Sequence, residues 1–172
     1  MKFLETWVRE TARPWLLGVL GAVSLLFLLV FGAVIVPAIE AVAGGPPPDL
    51  VLFQTPAELA SWLERGGDEV RRLYGWFLVA DSLYPVVYGL FFAGLLWWLH
   101  PGGKAWHLAV YAVVADYLEN AMHAIILASY PGFPGWAAWV GAAATLLKWA
   151  FLLLVVLRAL QLAWRRWRQP PG

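Results

Sequence analysis

The chain has 172 residues, 62% of them hydrophobic and 13% charged, about half the charged share of an average soluble domain. That balance points to a membrane and excludes an ordinary soluble globule. The net charge of +1 carries no message, and the lack of cysteine excludes disulfides, thiol nucleophiles and thiolate metal sites.

Residues 1–13 are mixed in charge and weakly amphipathic, with Lys2, Arg9 and Arg13 against Glu5 and Glu10. An uncharged apolar run then starts at Pro14, a favoured first helical position. It predicts a first span over 14–37, long enough to cross a membrane. Ala41-Val42-Ala43 resembles a leader-cleavage site, but the apolar run is too long for a signal-peptide core. Pro37 should kink or end the helix, with Glu40 near the far interface.

Residues 44–72 are the only sizeable polar segment. Gly44-Gly45-Pro46-Pro47-Pro48 reads as a stiff exit from the membrane. Thr55-Pro56-Ala57-Glu58 reads as a capping box with proline at the first helical position. It predicts a short amphipathic helix to about Arg65, ended by Gly66-Gly67. Leu59, Trp62 and Leu63 form its apolar side, lying on the bilayer surface or over the bundle mouth.

A second span is predicted over 73–99, with Asp81, Tyr84 and Tyr88 on one face and Pro85 kinking the helix. A turn at 100–104 leads to a third span over 105–129. An uncharged turn at 130–136 leads to a fourth, over 137–162, with Lys148 near its middle. A tail rich in Trp and Arg closes the chain. The expected fold is a single-domain, all-α integral membrane protein: a four-transmembrane-helix bundle with a short extracytoplasmic amphipathic helix.

Orientation follows from the basic residues. Lys2, Arg9, Arg13, Lys104, Arg158, Arg165, Arg166 and Arg168 fall on the side of both termini. Arg65, Arg71 and Arg72 fall on the other, beside five acids of the same segment: Asp49, Glu58, Glu64, Asp68 and Glu69. This predicts a multi-pass protein of the inner (plasma) membrane with both termini cytoplasmic. The tail arginines read as an orientation signal and anchor for anionic lipid, not a nucleic-acid patch.

The polar residues inside the spans carry the functional signal. Asp116, Glu119, Asn120 and His123 share one face of the third span, at spacings of three and four. At 1.5 Å per residue, Asp116 lies ~16 Å from the start of its span, Glu119 ~21 Å, Lys148 ~17 Å and Asp81 ~12 Å. All four fall between the midplane and the outer third. His123 falls shallower, on an outer rim with Glu40, Arg71 and Arg72. Ala137, Gly141 and Thr145 form a small-residue ridge leading to Lys148, and Gly18 and Ala22 offer another on the first span.

Asp81, Asp116 and Glu119 against Lys148 make three carboxyl groups for one ammonium. An apolar interior does not hold that imbalance without a shared proton, a cation or water. Asp116, Glu119, Asp81 and Lys148 are therefore the candidate catalytic residues. Tyr84, Tyr88, Asn120, His123, Thr145 and Trp149 are the candidate ligand-binding residues. In this reading Asp116 or Glu119 donates and accepts protons, Lys148 and Asp81 tune them, and the helix around Trp62 lids the entrance. The bland alternative is a polar clamp holding the helices in register, with Asp81 and Lys148 as a structural ion pair. His123 alone is a weak metal signal; no metal and no cofactor are expected.

The combination Arg71-x-x-Tyr74, Asp81-x-x-Tyr84-Pro85-x-x-Tyr88, Asp116-x-x-Glu119-Asn120 and Thr145-x-x-Lys148-Trp149 resembles an uncharacterised family of small bacterial four-span membrane proteins, over about residues 15–160. The resemblance implies the fold and no particular activity. A looser likeness to the emopamil-binding and sterol-isomerase group rests on no specific motif. The leading expectation is a buried polar site for a lipid or small apolar ligand, with acid–base chemistry within its reach. The alternatives are a proton-linked transporter or proton path, which in a chain without internal repeats needs a homo-oligomer, and a structural or accessory subunit of a membrane complex.

Overall fold

The computed structural model describes residues 2–168. Met1, residues 169–172 of the predicted tail and the Lys2 side chain lie outside what it describes. The described residues are almost entirely helical, with no strand. Four helices, Pro14–Ala43, Pro56–Leu99, His107–Ser129 and Gly135–Arg168, are long and apolar enough to cross a membrane.

The chain opens with helix α1 (Lys2–Thr11). The sequence reads as only weakly amphipathic there, yet α1 buries Val8 and Thr11 and packs on a later helix, α5 (Tyr84–Leu99). Gly94 makes this approach possible, since a β-carbon there would stand 2.8 Å from Thr11 Oγ1.

Helix α2 (Pro14–Val30) passes through a π-helical turn (Phe31–Ile35) into α3 (Val36–Ala43). Pro37 has no N–H to offer the turn before it and its ring crowds that turn. The helix widens there, and the Val36 N–H reaches back five residues to Phe31 O. The proline thus modulates the helix and does not end it. The span predicted over 14–37 runs on to Ala43, where Gly44 caps it at φ 68°. Gly18 and Ala22 do not form a packing ridge, for both are exposed.

A 3-10 turn (Pro48–Leu50) leads to the capping box, which forms as the sequence implies. Thr55 Oγ1 accepts from the Glu58 N–H at 3.3 Å and Glu58 Oε2 from the Thr55 N–H at 2.8 Å. Helix α4 (Pro56–Asp81) is two arms joined at Gly67, whose φ of 56° and ψ of −146° interrupt it. The predicted stop at Gly66-Gly67 is thus a bend with no loop. Leu59, Trp62 and Leu63 of the first arm are buried against Ile39, Ala43, Tyr74 and Ile126.

The predicted second span breaks at Ser82-Leu83, before Pro85 opens α5 in its first turn. Two side chains satisfy the break. The Ser82 hydroxyl donates to Leu78 O at 2.7 Å, and Ser82 O accepts from the Tyr117 hydroxyl at 2.8 Å.

Helices α6 (His107–Ser129) and α7 (Gly135–Arg168) form the most extensive pairing. Ala137, Gly141 and Thr145 are buried along it. A β-carbon at Gly141 would meet Met122 Cβ at 3.4 Å, so the small ridge sets how close the helices come. The span predicted over 137–162 is longer at both ends, because residues 163–168 continue the helix. Arg166 Nη1 donates to Trp98 O at 2.8 Å, which joins the end of α7 to the end of α5. One end of the bundle therefore holds α1, the turn after α5 and the end of α7. The other holds residues 44–66 and the turn after α6.

Candidate functional site: a mainly apolar cavity with one polar wall

Helix periodicity puts Asp116, Glu119, Asn120 and His123 on the inner face of α6, and all four are buried there. Glu119 is completely buried, Asp116 is 3% exposed and Lys148, facing them from α7, 6%. Lys148 Nζ contacts Glu119 Oε2 and lies 4.0 Å from Asp116 Oδ1. Thr145 Oγ1 donates to Glu119 Oε1 at 2.5 Å, the Tyr88 hydroxyl to Asp116 Oδ2 at 2.7 Å and Asn120 Nδ2 to Asp81 Oδ2 at 2.9 Å. Depth counting along the spans thus brought together residues that do meet: Asp81, Asp116, Glu119 and Lys148, with Tyr88, Asn120 and Thr145 as hydrogen-bonding neighbours.

His123 is a correction. It does not sit on an outer rim with Glu40, Arg71 and Arg72. It is 4% exposed, and its Nδ1 is 2.8 Å from the Tyr74 hydroxyl. Glu40 is exposed, and Arg71 pairs with Asp68 and lies over the Tyr130 ring. The depth count treated the end of the span as a surface. Residues 56–66 cover that end with Leu59, Trp62 and Leu63, so His123 becomes interior.

Two residues of the network are not among the candidate site residues: Asp49, which lies outside every span, and Tyr74, which lies in the second. Asp49, in the 3-10 turn between α3 and α4, is 3% exposed. Its Oδ1 accepts from the Tyr74 hydroxyl at 3.5 Å and its backbone carbonyl from Trp149 Nε1 at 3.4 Å. Burial pushes its carboxyl up from an ordinary 3.8 to about 8, against the opposing pull of Lys148. The sequence held a signal: Asp49 is the only charge between Glu40 and Glu58, set in Pro46-Pro47-Pro48-Asp49-Leu50-Val51-Leu52-Phe53. Tyr74 is seven residues before Asp81 and so shares its face of α4. By contrast Glu58, on the exposed capping box, is held below its usual carboxylate range by the Thr55 backbone N–H.

These groups line one side of a cavity of about 180 Å³. Asp49, Asp81, Asp116 and Lys148 with the phenols of Tyr84 and Tyr88 form its polar wall. Leu28, Phe31, Gly32 and Val36 from the first apolar helix, with Leu50 and Leu152, form its apolar wall. Phe27 stacks on Tyr84 with ring centres 5.3 Å apart, which holds the phenol against the first apolar helix. Helix α2 packs on α5 and α3 on α4, and neither makes a comparable packing with α7. The cavity therefore looks out sideways between α2 and α7, past the half-exposed Leu28 and Trp149.

Compared with family models, curated proteins and solved structures, the chain matches none of them. The site is therefore read from its own chemistry.

The cavity sorts the candidates. Asp81, Tyr84, Tyr88, Asp116, Lys148 and Trp149 line it; Glu119, Asn120, His123 and Thr145 do not. Glu119 is the counter-ion that holds Lys148. Asn120 orients Asp81, and Tyr88 orients Asp116 through one oxygen and leaves Asp116 Oδ1 with no hydrogen-bond partner. Trp62 faces Tyr74 and is no lid for this cavity, which the Pro48–Leu50 turn covers instead. Among the described residues no group of three or more His, Asp and Glu side chains is disposed to hold a metal ion.

Proposed function

We propose that this is an integral membrane protein whose central cavity binds a small amphiphile, a lipid or other apolar molecule with one polar group, entering sideways from the bilayer between α2 and α7. The carrying observation is the division of the cavity into a wall of carboxyl, ammonium and phenol groups and a wall of Leu, Phe and Val. Ligand sites combine a mostly apolar lining with a few convergent polar groups in this way. The polar group of the ligand meets Asp116, Asp81 and Lys148, and its apolar part lies against Leu28, Phe31 and Val36. Asp116 is the acid–base group of the site, because it lines the cavity with Oδ2 held by the Tyr88 hydroxyl, while Oδ1 accepts no hydrogen bond and lies 4.0 Å from Lys148 Nζ. In the bilayer the termini lie in the cytoplasm, and residues 44–66 form the extracytoplasmic cap, with the arm at 56–66 as its amphipathic helix.

A proton path is the weaker reading. Between the cavity and the end holding the termini lies a buried cluster of Val8, Ala93, Leu96, Trp106, Ala109, Val155 and Leu162. It holds no titratable side chain to pass a proton on.

Gly32→Phe tests the site. Gly32 lines the cavity and a β-carbon there meets nothing within 4 Å, so a phenyl side chain at this position is expected to fill the mouth. Protein purified in mild detergent and analysed by native mass spectrometry is expected to carry a small amphiphile as wild type and to lose it in Gly32→Phe at unchanged melting temperature. A wild type free of ligand after gentle extraction, or a variant that keeps it, refutes the proposal.

A further inference from the structure

At the end of the bundle far from the cavity cap lies an open cleft of about 670 Å³ between the end of α5 and the last turns of α7. Trp98 and His100 form one side, and Arg158, Leu162, Arg165 and Arg166 the other. Positions 158, 162, 165 and 166 recur on one face of α7, so the three guanidiniums are stacked along the cleft with Leu162 between them. Among the described residues the lining contains no carboxylate. Arg166 is accounted for structurally, since it donates to Trp98 O and lies over the Trp98 ring at 4.2 Å. That bond also answers a carbonyl at the C-terminal end of α5. Arg158 and Arg165 have no such duty. Among the described residues Arg158 meets only the neutral Gln161 side chain, at 2.5 Å, on its own helix.

We infer that this cleft is a binding site for the phosphate of an anionic phospholipid headgroup. Guanidinium groups bind phosphate oxygens through paired hydrogen bonds, and basic pockets between membrane helices on the cytoplasmic side take such headgroups. The cleft is several times larger than a phosphate ion, with room for the glycerol joined to it. Trp98, Trp164 and Trp167 mark the level of an interface. The arginines that sequence reading treats as a surface anchor thus form a cleft wall, joined by Arg158 two turns further in. The inference rests on the bilayer placement proposed above and not on the ligand of the central cavity.

The test is native mass spectrometry of full-length, delipidated protein titrated with phosphatidylglycerol or with phosphatidylcholine of the same chains. Wild type is expected to prefer phosphatidylglycerol by about tenfold, the value of one charge-assisted contact set. Arg158→Gln/Arg165→Gln, which spares Arg166, is expected to bring the two lipids to parity. Arg158→Gln alone, the smaller change, is expected to lose about half of that preference on a logarithmic scale and serves if the double variant fails to fold. Wild type without preference, or a folded variant that keeps the full preference, overturns the site. Competition by glycerol 3-phosphate at concentrations equal to the lipid overturns the lipid assignment in favour of a soluble phosphate ester.

Discussion

The first apolar helix and α6 are opposites. The Pro14–Ala43 helix has the higher mean hydropathy, 2.9 against 1.2, yet only 6% of its most apolar stretch is buried, against 44% for α6. In a water-soluble protein the ranking runs the other way, because burial follows apolarity. Here Leu25, Leu26 and Leu29 face outward while Asp116, Glu119 and His123 face in. That inversion suits a hydrocarbon surrounding, where apolar side chains gain nothing from burial and charged ones need partners. It also assigns the parts of the proposed site: α6 with α7 supplies fixed polar groups, and α2 with its π turn supplies an apolar wall with few neighbours.

The largest effect is expected where that contrast is strongest. Lys148→Met leaves Glu119 fully buried with no cation beside it and should cost about 3–5 kcal/mol. Lys148→Met/Glu119→Gln, which removes both charges, should recover at least half of the loss. Thermal unfolding in detergent measures both. A loss for the single variant no larger than that for an exposed α2 leucine would erase the distinction between the two helices.

Asp49 gives a medium effect with a defined sign. Its carboxyl is raised from 3.8 to about 8 in the folded protein, so between those values the folded state holds a proton that the unfolded state has released. Its contribution to stability is then greatest below about pH 4, falls as the pH rises towards 8 and levels off above it. Asp49→Asn, which keeps the shape without the titration, should flatten that slope. Melting curves from pH 4 to 9 check it, and an unchanged slope in the variant would detach Asp49 from the polar wall.

The smallest effect belongs to α2. Leu29 is 57% exposed, and Leu29→Ala should change stability by less than about 0.5 kcal/mol. A loss of 2 kcal/mol or more, seen by the same unfolding assay, would mean that another protein surface, such as a second copy of the chain, covers this face.

How much of this was legible depended on whether a residue's neighbours lay along its own helix. Periodicity along α6 and the small ridge of α7 are local, and they lead directly to the meeting of Glu119, Thr145 and Lys148. The capping box at Thr55 and Glu58 is local too. Asp49 and His123 are not. Asp49 stands in a polar segment and turns inward only because Trp149 and Tyr74, 100 and 25 residues away, receive it. His123 is interior because an arm from another part of the chain covers its helix end. The break at Ser82 was half visible: Pro85 implied a kink, but the hydroxyls of Ser82 and Tyr117 make it a stable interruption.

The apolar cluster around Val8, Leu96, Trp106 and Leu162 has an electrical consequence. In the bilayer placement proposed above it would be a layer of low polarisability across which transmembrane voltage falls, with the charged groups on its capped side. A proton exchanged between Asp49 and Asp116 would then do only a small part of the roughly 2.3 kcal/mol that a full crossing costs per 100 mV. An acid–base step in the proposed site would thereby be shielded from much of the membrane voltage.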